Sequence, residues 1–111
     1  MKKILKQVLT FFYTSLVKRQ CKLNAGGLKV NGYSRVSSTT MLGENIHFNG
    51  MVISGLGSVQ IGDNFHSGIG CLMISQIHNY DKGTAIPYDN TYIYKDIVIE
   101  NNVWLGDRVI V

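Results

Sequence analysis

The chain has 111 residues, 45% hydrophobic and 16% charged, which fits one folded domain and excludes a disordered segment. Twelve glycines against the single Pro87 favour tight turns and short extended pieces over long helices. The net charge of +4 is divided: Lys2, Lys3, Lys6, Lys18, Arg19 and Lys22 crowd the first 22 residues, no acid precedes Glu44, and the remainder is mildly acidic. A basic arm suits an anionic surface, and the absence of a nucleic-acid motif in the body speaks against nucleic acid as the partner.

Residues 1–22 form the first predicted element, an amphipathic helix. Ile4, Leu5, Val8, Leu9, Phe12 and Leu16 fall on one face at helical spacing, with lysines at both ends. The 11 residues between Lys6 and Lys18 are too few to span a bilayer. Lys18-Arg19-Gln20-Cys21 offers no small-residue cleavage site, which argues against a secretory signal. Two roles stay open for the stripe: packing on the domain, or peripheral contact with a membrane surface. Cys21 and Cys71 have no metal-ligand spacing and suggest no disulfide framework, so the natural compartment is the reducing cytoplasm. Cys71 falls on an inward position.

From Leu28 the period changes. Leu42-Gly-Glu-Asn-Ile46, Ile61-Gly-Asp-Asn-Phe65, Ile99-Glu-Asn-Asn-Val103 and Leu105-Gly-Asp-Arg-Val109 each set two apolar residues four apart around a turn. Ile99 and Leu105 are six apart, so the unit is a hexapeptide. Units starting at Ile61 place Phe65, Cys71 and Ile77 at their fifth positions and end on His78. Removing residues 79–98 brings Ile99 into register as the next unit. Hexads predict an all-β solenoid over 28–111, with an extruded loop at 79–98. Gly43, Gly62 and Gly106 are expected to supply conformational freedom at the turns, and Asn45, Asn64 and Asn102 to accept left-handed φ. An ionisable residue at the mouth of a long insertion marks a candidate site.

These residues resemble the hexapeptide-repeat acyltransferases. Phe65-His-Ser-Gly, His78-Asn-Tyr-Asp, Ile86-Pro-Tyr-Asp and Asn102-Val-Trp-Leu-Gly are most similar to the O-acetyltransferases of bacterial surface polysaccharides and sugars. The resemblance implies a left-handed parallel β-helix and a homotrimer with sites between neighbouring subunits. It also implies acetyl transfer from acetyl-CoA to a hydroxyl of a sugar or polysaccharide acceptor. His78 stands in the place of the general base, with no acyl-enzyme formed. Imidazole, with an ordinary pKa of about 6.5, can take the acceptor's proton without being permanently charged. Trp104 is in the place of a tryptophan lining the acetyl and acceptor pocket, and Asn49 in that of an asparagine contacting the acceptor.

Tyr80, Tyr88, Tyr92 and Tyr94 form either a sugar-stacking surface or anchors for the loop. Asp81 is a candidate to orient His78. His47 and His66 lack that context and are read as structural or surface residues, and no metal site is expected. The place of action implied is the cytoplasm, at the inner face of the membrane. The family continues past Asn-Val-Trp-Leu-Gly with further coils and a Gly/Ala-rich stretch lining the CoA channel, whereas this sequence stops at Val111. The expectation is therefore a C-terminally truncated member whose CoA-binding residues lie beyond Val111. The rival is a non-catalytic β-solenoid serving as scaffold or binding surface.

Overall fold

A computed structural model describes residues 2–111. Lys2–Gln20 is a helix, α1, and twelve short strands follow. They are β1 (Leu23–Gly26), β2 (Lys29–Val30), β3 (Thr40–Glu44), β4 (Ile46–Phe48), β5 (Met51–Ser54), β6 (Val59–Ile61), β7 (Phe65–Ser67), β8 (Cys71–Ile74), β9 (Gln76–His78), β10 (Tyr92–Tyr94), β11 (Ile97–Ile99) and β12 (Trp104–Leu105). Two four-stranded sheets, β1-β3-β6-β11 and β12-β7-β4-β2, and the pair β5-β8 are parallel. β9 and β10 form a separate antiparallel pair, with Tyr92 opposite His78 and Tyr94 opposite Gln76.

This arrangement corrects the expected all-β solenoid, the left-handed parallel β-helix with an extruded loop. The sheets are mixed, three parallel and one antiparallel, and a 19-residue helix joins them. Hexad spacing predicts parallel neighbours but says nothing about a segment that carries no hexad. Tyr92-Ile-Tyr94 alternates like a strand and folds back onto β9 instead of standing away as loop. That leaves Ile77, expected inside, exposed in the two-stranded pair.

The apolar residues of successive strands meet in one core. Ile46, Phe48, Met51, Val59, Ile61, Phe65, Cys71 and Met73 are buried, with the Phe48 and Phe65 rings edge-to-face at 5.9 Å. Between strands the chain turns through left-handed residues: φ is 59° at Asn45, 58° at Asn64 and 63° at Asn102. Their side chains also bond to one another, Asn45 Nδ2 to Asn64 Oδ1 at 2.9 Å and Asn64 Nδ2 to Asn102 Oδ1 at 3.0 Å. The glycines beside them work differently from the expectation. Gly43 and Gly62 do not have positive φ; a Cβ on Gly43 would meet Asp63 and the Gly62 backbone, and one on Gly62 would meet Asn101. Close stacking of turn on turn excludes a side chain there. Gly106 has open space on that side and meets neither condition.

Helix α1 docks through polar residues. Thr10 Oγ1 donates to Asn31 Oδ1 at 3.4 Å, Thr14 Oγ1 accepts from Val30 N at 3.0 Å, and Gln20 Oε1 accepts from Val36 N at 3.0 Å. Tyr13 packs edge-on against Tyr33, and Val17 alone on the helix is fully buried. Of the stripe, Ile4, Leu5, Val8, Leu9 and Phe12 are exposed and do not pack on the domain, whereas Leu16 is half-buried.

Candidate functional site

His78 is the last residue of β9, where the parallel register is interrupted. Parallel pairs that skip the insertion, such as His66 with Trp104, are 38 residues apart, against 18 for Lys29 with His47. Other parallel pairs before it are 19 or 20 apart, so the chain between β7 and β12 carries 18 to 20 additional residues. The chain leaves β9 through His78, runs over residues 79–91 and returns as β10, which places two tyrosine rings on the imidazole. Tyr88 stacks on it with centroids 3.6 Å apart and planes 17° from parallel, and Tyr92 lies across the strand pair at 5.0 Å and 32°. Nδ1 of His78 is shielded from solvent and has no hydrogen-bond partner.

The loop is held by a carboxylate that the sequence reading did not single out. Asp89 accepts from the Thr84 amide at 2.8 Å and the Thr91 amide at 2.8 Å, and from both threonine hydroxyls. Hydrogen bonds from the Thr91 hydroxyl and the Thr84 and Thr91 amides hold this exposed carboxyl well below the usual carboxylate range. Asp89 thereby ties together Thr84 and Thr91, which flank the stretch that carries Tyr88. The signal was present as Asp89-Asn-Thr91, a side chain bonding its own backbone two residues on. Asp81, expected to orient His78, is exposed and makes no hydrogen bond to it among the described residues. Tyr80 is exposed, and its amide donates to the His78 carbonyl at 2.9 Å.

Asn49 and Trp104 lie elsewhere, on the sheet β12-β7-β4-β2. There the outward residues form a row across adjacent strands: Trp104 beside His66, His66 beside His47, His47 beside Lys29. The spacing of neighbouring strands, about 4.8 Å, puts these side chains within reach of one another. Trp104 is 74% exposed at one end of the row. Asn49 follows β4 and spends its amide locally, with Nδ2 reaching His66 Nε2 at 3.2 Å and Ser67 O at 2.9 Å, and Oδ1 accepting from Asn31 at 3.1 Å. With the amide donating, Nε2 of His66 is the acceptor and the neutral ring carries its proton on Nδ1. Burial, then the neighbouring His66 and Lys29, push the His47 imidazole below its ordinary pKa.

The sequence reading treats His47 and His66 as structural or surface residues. Their 19-residue separation, matched by Ile46 with Phe65, was the signal that they share a row. No hydrogen bond or ring contact joins this row to His78 among the described residues, so one chain carries two separate constellations. Asn49 also lines a shallow, mainly apolar groove of about 510 Å³ with Tyr33, Val52, Ile69 and Leu72. Among the described residues no group of three or more His, Cys, Asp or Glu converges as a metal site. Among the described residues no helix is long and apolar enough to cross a membrane. No family model matches the chain, and neither a curated protein nor a solved structure matches it significantly.

Proposed function

We propose that the chain is a hexapeptide-repeat acyltransferase that moves an acetyl group from acetyl-CoA to a hydroxyl of a sugar or polysaccharide, with His78 as general base. The observation that carries this reading is the His78 imidazole, held flat between Tyr88 and Tyr92 at the mouth of the insertion. With Nδ1 shielded, Nε2 is the ring nitrogen assigned to proton exchange in this reading. The acceptor O–H gives its proton to the imidazole as its oxygen attacks the thioester carbon. The C–S bond then breaks, and the leaving thiolate of CoA takes the proton back from the imidazolium. The products are an O-acetyl ester, free CoA thiol and neutral histidine.

Aromatic faces suit a sugar acceptor, and Tyr88, Tyr92, Tyr80 and the exposed Trp104 supply them. His78 is separated from Trp104 and Asn49 within one chain, and in the homotrimer that the resemblance implies the row of one subunit faces the His78 of the next. Cys21 and Cys71 are free thiols, in keeping with the cytoplasm, at the inner face of the membrane. The same separation also favours a second reading, a non-catalytic scaffold that binds saccharide through its tyrosines. A screen of sugar acceptors with acetyl-CoA, read as free-thiol release, tests the first against the second. Acceptor-dependent release supports the transferase, and saccharide binding without release supports the scaffold.

A further inference from the structure

The amphipathic helix is mounted the other way round from an ordinary core-packing helix. Its body-facing stripe runs through Lys3, Lys6, Gln7, Thr10, Tyr13, Thr14 and Val17, the i, i+3, i+4 spacing of one face. Four of these, Lys3, Lys6, Gln7 and Thr10, line a groove of about 400 Å³ with Lys29 and Asn31, and the next turns make the hydrogen bonds and the buried contact described above. The other face carries Ile4, Leu5, Val8, Leu9, Phe11 and Phe12, all exposed, Phe11 to 75%. Six large apolar side chains within nine positions form an unpartnered patch of the kind that marks an interaction site.

We infer that α1 is an interfacial helix: its apolar face sinks into an anionic lipid surface while the domain rides on its polar face. Charge chooses this occupant over a second copy of the chain. The helix carries Lys2, Lys3, Lys6, Lys18 and Arg19, Lys22 follows, and no acid precedes Glu44. Pairing two such helices would bring two basic arms together with no acid on either to offset them, whereas anionic headgroups neutralise them. Lysines on the polar side can extend along the helix and keep their ammonium groups among the headgroup phosphates. The helix is about 28 Å long at 1.5 Å per residue, a length that lies in the plane of the surface. This inference stands apart from the acyl-transfer reading and holds or fails without it.

Flotation of the full chain with vesicles of phosphatidylcholine alone, or of equal parts phosphatidylcholine and phosphatidylglycerol, tests it. The chain is expected to float with the anionic vesicles and to be released as salt is raised. Leu5→Ser combined with Leu9→Ser lowers partition about ten-fold or more, since both side chains point away from the domain. As a second arm, Phe11→Trp in a Trp104→Phe background is expected to be quenched by lipids brominated on their acyl chains. Flotation unchanged by the paired serines, or an unquenched Trp at position 11, overturns the inference. So does an assembly seen by sedimentation without vesicles that the paired serines dissolve, because the occupant would then be a second copy.

Discussion

At the scale of single residues, position and hydrogen bonding separate groups that composition treats alike. Of the three histidines, His78 lies between two tyrosine rings, His66 holds a bond to Asn49, and His47 is lowered in pKa by burial and by His66 and Lys29. A histidine depressed in the folded state leaves its stability contribution intact above the unfolded pKa and loses it as pH falls from there through the lower folded-state pKa. By NMR titration of the ring protons, His47 is therefore expected to titrate below free imidazole, and His66→Gln to raise it only part of the way, because burial is the larger cause. Titration at or above the free value contradicts the row described here. Asn64 gives a second residue-scale prediction. Asn64→Ala loses two side-chain hydrogen bonds and strains a φ of 58°, for a cost of about 1–3 kcal/mol in denaturant unfolding. Asn64→Gly is expected to recover the strain part only. The left-handed asparagines and the buried Cys71 were legible in the sequence, because turn chemistry and hexad position are local properties. The role of Asn49 was not, because its amide is consumed by Asn31, His66 and Ser67, neighbours that only the stacked strands bring together.

At the scale of elements, the insertion and the helix are where local pattern and tertiary placement part. Hexad arithmetic placed a break after His78, where the structure leaves the parallel sheets for an antiparallel pair. It could not give the return of Tyr92–Tyr94 onto β9, since strand alternation does not specify a partner. Nor could the spacing of Ile4, Leu5, Val8 and Leu9 say which face of α1 meets the domain. That was decided by hydrogen bonds from Thr10, Thr14 and Gln20 to residues 16–21 positions away. The loop makes its own prediction. Asp89→Ala removes the acceptor for two amides and two hydroxyls, so Thr84 and Thr91 amides are expected to exchange faster and Tyr88 to leave His78. Because the Asp89 carboxyl is depressed, this ordering is present above its unfolded pKa and is lost as pH falls below the carboxylate range. Hydrogen exchange of those two amides, compared with Asp81→Ala as a control in the same loop, checks the assignment. Equal protection in parent and Asp89→Ala would remove Asp89 from the account.

At the scale of the whole molecule, the chain is elongated, 55 × 28 × 25 Å, with a radius of gyration of 15.4 Å against about 13 Å for a compact domain near this size. Its two constellations lie on different sheets, and a site built from both requires a neighbouring subunit. A trimer is accordingly expected by sedimentation, with Trp104→Ala lowering activity less than a change at His78 and by an amount that depends on the acceptor. A stable, active monomer contradicts this assembly. The central claim is that His78 takes the proton of an acceptor hydroxyl, and its most direct test is the turnover number of His78→Asn beside the parent, both as the full-length enzyme, at saturating acetyl-CoA. The account predicts a fall in kcat of about 10²–10⁴-fold with CoA affinity nearly unchanged. Equal turnover in the two proteins would contradict it.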